Sequence, residues 1–187
     1  MVSPHEDPIT LVPPRHGEWR AQFERERQRV VDVLERQGLQ RHVQRIEHVG
    51  STAVPDLPAK DIVDLDIVVA DSAVEPVSRV IETELGGARH RNSEQWHPVF
   101  REAEGQRFND HVFAHSGDGW KVSVATVAVL RERPDLRSEY EQLKRASADE
   151  TDELETYSKS KSEFVGELLD IARELELSLD FEIPESR

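Results

Sequence analysis

Cysteine is absent from the 187 residues, which excludes both a disulfide framework and a thiolate metal site. Lysine is nearly as scarce, with five among 24 basic residues. Basic groups as a class are outnumbered by 38 acidic ones, and the formal net charge is −14. That balance disfavours a nucleic-acid partner, because such binding rests on clustered cations. An acidic, lysine-poor surface is also what salt-rich cytoplasm favours, since dense salt screens self-repulsion. The composition therefore predicts a halophilic source, and the acidity says little about substrate. No apolar run approaches membrane-spanning length. The opening Met-Val-Ser-Pro-His-Glu-Asp has no basic region followed by an apolar stretch. The expectation is a soluble, cytoplasmic protein without a membrane partner.

What is present centres on residues 49 to 67. Val49-Gly50-Ser51 is followed, after twelve residues, by Asp64-Leu65-Asp66-Ile67 inside an apolar run. Side chains alternate along a strand, so Asp64 and Asp66 point one way while Leu65 and Ile67 point into the core. Two carboxylates about 7 Å apart on one face repel each other unless cations lie between them. A divalent-metal site is the natural reading, with Gly50 allowing backbone N–H groups close to a phosphate and Ser51 donating its hydroxyl.

The rest of the chain reads as one domain, with a core over about 8–173 and a frayed or peripheral acidic tail over about 177–187. Periodicity predicts a short strand over 9–12 and a helix over 15–37 that Gly38 ends. Strands follow over 43–49 and 62–69, separated by a segment that Pro55 and Pro58 keep irregular. A helix is expected over 72–85, then two strands over 97–101 and 108–115 joined through Glu104-Gly105. Residues 120–132 suit either a strand or a helix start. Asp135 to Ala146 reads as helical. A last helix carries Leu154, Tyr157, Lys161, Phe164, Val165, Leu168 and Ala172 on one stripe.

The stretch from Ile46 to Asp64, Ile-Glu-His-Val-Gly-Ser-Thr-Ala-Val-Pro-Asp-Leu-Pro-Ala-Lys-Asp-Ile-Val-Asp, closely resembles the signature of the GrpB family. Ahead of it, Ile9, Val12, Trp19 and Phe23 resemble the family's opening elements. Behind it, Asn109-Asp-His111-Val-Phe113, Tyr140 with Lys144, and Tyr157 to Phe164 resemble its later strand and C-terminal helices. The resemblance covers about 8–173 and implies an α+β fold of the nucleotidyltransferase (DNA-polymerase-beta-like) superfamily. That fold is a mixed β-sheet flanked by helices, with a C-terminal helical region. Some relatives are joined to a dephospho-coenzyme A kinase domain, which links the family by analogy to nucleotide or coenzyme A metabolism. There are departures: Asp56 stands where the family usually has Gly, and Asp61 where it has Pro. The segment Thr126 to Arg131 lacks an Arg and an Asp of the family's Phe-Arg-Asp-Tyr-Leu-Arg. This chain has both carboxylates, whereas many members keep only the first.

The resulting expectation is a Mg²⁺- or Mn²⁺-dependent transfer of a nucleotidyl group from a nucleoside triphosphate to an unidentified acceptor. The rival is an inactive nucleotide-binding or regulatory module. Asp64 and Asp66 are the expected catalytic and metal-holding pair. Asp110, with Glu102 behind it, is the candidate third carboxylate; His111 is the other catalytic candidate, as general base or phosphate contact. Asp110 and His111 point to opposite faces of a strand, so both cannot line one pocket. Gly50, Ser51 and Thr52 would bind phosphate. Lys60 either adds a point charge to the triphosphate or is merely solvated. Lys161 either snorkels or reaches toward a phosphate. His48 either faces the pocket or has a structural hydrogen bond. Trp96, His97 and Trp120 read as packing or rim residues.

Overall fold

The computed structural model describes residues 10–149, 154–175 and 177–185. Helix α1 (His16–Arg36) leads to strand β1 (Val43–Val49), and a proline-interrupted loop leads to β2 (Ile62–Val69). Then come α2 (Val74–Leu85), β3 (Ala88–Arg89), β4 (Trp96–Ala103) and β5 (Gln106–Ala114). Helices α3 (Gly119–Glu132), α4 (Pro134–Asp149) and α5 (Leu154–Glu174) complete the chain, an α+β arrangement. The five strands form one mixed sheet in the order β1-β2-β5-β4-β3. Only the central pair, β2 and β5, is parallel; α2 and the β3–β4 segment form the crossover between them.

Alternation in β2 sorts its residues between two layers. Val63, Leu65, Ile67 and Val69 face α1 and α2, in one core with Trp19, Phe23, Val77 and Ile81. The other face carries Asp64, Asp66 and Val68, and there Val68 packs with Phe113 and Trp120 under α3. A second core joins α3 to α5 and reaches the loop through Ala53, Val54 and Leu57.

The ambiguous residues 120–132 are helical. Their β-branched side chains weaken helix propensity only slightly, and Ala125, Val129 and Leu130 bury fully in the second core. The expected strand over 9–12 lies partly outside the described residues; within them Val12 makes a single bridge to Ala59. Over its described residues, 177–185, the tail lies against the domain. Leu177, Leu179 and Ile183 pack on the second core, Phe181 meets the Trp120 ring edge-on at 4.9 Å, and Asp180 pairs with Arg45 at 2.9 Å. Apolar residues alternate through that acidic stretch, and the alternation decides its docking. Among the described residues no helix is long and apolar enough to cross a membrane.

Candidate functional site

The loop after β1 is shaped by its glycine. Gly50 has φ +70°, and a Cβ there would overlap the Asp64 carboxylate, whose Cγ is 3.1 Å from that position. Only glycine permits both the turn and the close approach. Asp56, where the family usually has Gly, keeps a left-handed φ of 60°. Asp61 accepts a hydrogen bond from the Trp19 indole at 2.9 Å, tying the loop's end to α1.

Helices behind this loop hold it by cations on its oxygens. Arg131 donates to the Ala53 carbonyl from Nε (3.0 Å) and a terminal nitrogen (2.8 Å), and Arg137 donates to the Pro55 carbonyl at 3.1 Å. Lys144, itself buried, donates to Ser51 Oγ at 2.8 Å and the Pro58 carbonyl at 2.7 Å. Charge-assisted bonds of this kind are about twice as strong as neutral ones. The loop is therefore set largely by residues 70 or more positions away in sequence.

Next to the turn, a cavity of about 390 Å³ opens between the sheet and the start of α3. Val49 and Gly50 come from β1 and its turn, Asp64 and Asp66 from β2, His111 and Phe113 from β5, and Trp96 from β4. Gly119, Val122 and Ser123 roof it. The parallel register sets Asp64 beside Asn109 and Asp66 beside His111. Asn109 Nδ2 donates to Asp64 Oδ1 at 2.8 Å, and His111 Nε2 lies 3.6 Å from the same oxygen. Asp64 remains 24% exposed, so it can still reach a ligand.

Asp66 is different. It is 1% exposed, and neither carboxylate oxygen has a hydrogen-bond partner. The Ser123 hydroxyl above it donates instead to the Gly119 carbonyl at 3.2 Å. Burial pushes its pKa up to about 7, opposed by His111 and by the nearby Ser123 hydroxyl and reinforced by the Asp64 charge. A buried acid without a partner is costly, and a cation shared with Asp64 would satisfy it. The pair thus fits a hard divalent ion by donor chemistry. Among the described residues no group of three or more His, Asp or Glu side chains is arranged to hold a metal.

His111 is a donor here. The Trp96 indole N–H, which can only donate, lies 3.2 Å from His111 Nδ1, so Nδ1 is the acceptor and Nε2 carries hydrogen toward Asp64. Burial lowers its pKa, but the Asp64 hydrogen bond and the charges of both aspartates outweigh that and raise it overall. Accepting a further proton at Nδ1 would cost the Trp96 bond. In this arrangement His111 presents an N–H, not a free lone pair, to Asp64.

Three further expectations change. Asp110 faces the opposite side of the sheet, 3.5 Å from Arg101 and close to Glu26, so it is not a third ligand; Glu102 is exposed. Thr52 is buried, and its hydroxyl sits 3.0 Å from His48 Nε2, which takes it out of the phosphate turn. His48 stacks on Phe23 at 4.8 Å, and burial lowers its pKa to about 4, so it is a neutral structural histidine. Ser51 stays at the turn, engaged by Lys144. Lys60 is half-buried on the loop and does not line the cavity. The Lys161 side chain lies outside the described residues. Trp96, read as a packing or rim residue, stacks on Phe113 at the cavity wall. Sequence reasoning missed Asn109, Ser123 and Lys144 as parts of the site; Asn109 and Lys144 did occur in the segments that resembled the family.

Comparison with known proteins agrees with this architecture. The family model described as GrpB protein matches residues 8–170. A UPF0157 protein of Deinococcus radiodurans is 32% identical over 175 residues, covering 89% of this chain and 84% of that protein. A dephospho-CoA kinase of Mycolicibacterium paratuberculosis is 30% identical over 172 residues, covering 78% of this chain but 41% of that protein. The crystal structure of conserved protein GrpB from Enterococcus faecalis shares the fold, with a TM-score of 0.70 at 22% identity, covering 89% of this chain and 99% of that one. This chain belongs to the GrpB family.

Proposed function

We propose that the protein binds a nucleoside triphosphate together with Mg²⁺ or Mn²⁺ and transfers a nucleotidyl group to an acceptor still to be identified. The observation that carries this reading is Asp66, buried and without a partner, beside Asp64 and the glycine turn. Asp64 and Asp66 would hold the ion. A divalent cation at such a site offsets phosphate charge that builds up as the bond to the leaving oxygen breaks. The residues of this chain supply positioning. Asn109 and His111 orient Asp64, Gly50 lets the Asp64 carboxylate lie directly against the turn, and Lys144 fixes the Ser51 hydroxyl. The Gly119–Ser123 roof shields Asp66 from water.

A second reading is favoured by one observation: Asp110 is turned away, leaving two carboxylates in the cavity. On that reading the protein is a nucleotide-binding or regulatory module without chemistry, and the dephospho-CoA kinase relative suggests a setting in nucleotide or coenzyme A metabolism. Calorimetry with the four nucleoside triphosphates, with and without Mg²⁺, separates the readings when combined with an assay for pyrophosphate release. Metal-dependent binding and pyrophosphate release that falls roughly 10²-fold in Asp66→Asn support the transferase. Metal-indifferent binding without release supports the module. No binding at all contradicts both.

A further inference from the structure

We propose that Trp96 is the shelf on which the nucleobase stacks, and that the pocket takes all four bases with little discrimination. This rests on the nucleotide-binding reading above. Strand order β1-β2-β5-β4 and register place Gly50, the aspartate pair, His111 with Phe113, and Trp96 along a diagonal on one face of the sheet, Gly50 next to the Val49–Asp64 pair and Trp96 opposite Phe113. Side chains close that line: the Trp96 indole nitrogen is 3.2 Å from His111 Nδ1, and His111 Nε2 is 3.6 Å from Asp64 Oδ1, so the aromatic end and the carboxylates belong to one continuous surface. Polarity changes along the same line. Arg131 and Lys144 back the turn, the carboxylates lie in the middle, and the far end is aromatic. Phosphates, cation and base meet their matching chemistry in that order.

Trp96 is built as a rigid surface. Its ring lies on Phe113 with centroids 5.6 Å apart and planes 10° from parallel. Its indole N–H is anchored on His111 Nδ1. Two independent constraints therefore fix a half-buried flat ring at the cavity wall. Base identity is read through hydrogen-bonding groups, and the donors beside Trp96 are already committed, while Asn109 Oδ1 is buried and does not line the cavity. The Trp96 N–H and His111 Nδ1 satisfy each other, while His111 Nε2 and Asn109 Nδ2 turn to Asp64. Phe113 and Val122 offer only surface. Stacking without edge contacts tolerates every base and favours the larger purines.

The chain carries its own reporter. Trp19 and Trp120 are 1% and 2% exposed, so Trp96 is the tryptophan a ligand would meet. Fluorescence and calorimetry should be followed with ATP, GTP, CTP, UTP and inorganic tripolyphosphate, all in excess Mg²⁺. Expected are saturable quenching by all four nucleotides, affinities within about tenfold of one another, and tripolyphosphate binding without quenching. Trp96→Leu should lose roughly 5- to 100-fold in ATP affinity, well beyond any loss for tripolyphosphate that follows from freeing His111. Trp96→Phe should abolish the quench yet hold ATP affinity within about fivefold. Binding of ATP no tighter than tripolyphosphate, or without quenching, overturns the shelf and leaves the metal–phosphate reading standing. A preference above about 100-fold for one base overturns the lack of discrimination. If neither tripolyphosphate nor any nucleotide binds, the shelf and the reading it rests on both fall.

Discussion

Asp66 and Asp110 lie on neighbouring parallel strands, one register step apart, and both are essentially inaccessible to water. Their surroundings are opposite. Asp110 faces α1, where Arg101 and Glu26 close a sealed cluster: Arg101 donates to Glu26 and to the Leu85 carbonyl, and Arg29 reaches Glu26 at 2.9 Å. None of the four carboxylate oxygens has a hydrogen-bond partner, but Asp110 has the Arg101 cation at 3.5 Å, whereas Asp66 faces a cavity lined by His111 and Ser123. Burial raises both pKa values, and for Asp110 the neighbouring Glu26 charge adds to it. A buried carboxylate is therefore not in itself a mark of function. One of the two has been supplied with internal cations, and the other is left for something that enters.

The largest expected effect breaks the sealed side. Arg101→Met leaves Glu26 and Asp110 without their buried cation and should cost about 3–5 kcal/mol in urea unfolding. Cation and nucleotide affinity in the remaining folded protein should stay as in wild type. A loss below about 1 kcal/mol would mean that the cluster is not held by charge.

Asp66→Asn should act in the reverse sense. Folded Asp66 keeps its proton to about pH 7, against an ordinary 3.8 when unfolded, so the folded state binds more protons between those values. Wild-type stability contributed by this group therefore falls as pH rises across that window. The variant should be more stable by up to about 4 kcal/mol above pH 7, with the gain vanishing below about pH 4. Thermal or urea melts across pH would check this, and a pH-independent difference would contradict the burial argument.

Lys144→Met removes two hydrogen bonds from a buried ammonium to the loop and should cost about 2 kcal/mol, weakening phosphate binding as well. Thr52→Val is the smallest change. It should cost about 1 kcal/mol through the His48 contact and leave ligand affinity unaltered. Loss of ligand affinity in this variant would return Thr52 to the phosphate turn.

Much of this contrast was legible in the sequence, because a period of two is a local property. It predicted that Asp64 and Asp66 share a face and that Asp110 and His111 do not, and the register agrees. The glycine turn was legible for the same reason. Contacts between distant segments were not. The bond from Trp96 to His111 depends on the β4–β5 hairpin register, and the grip of Lys144 on Ser51 spans 93 positions. Helix α3 was ambiguous because its valines suit a strand, and only packing against α5 decides the matter. The docked tail was hidden by its acids, although Leu177, Leu179, Phe181 and Ile183 already alternated.

The most direct measurement is anomalous diffraction from a crystal soaked in Mn²⁺. The account predicts a peak between the Asp64 and Asp66 carboxylates that disappears in Asp66→Asn. No peak at that position, or one that persists in the variant, would contradict it.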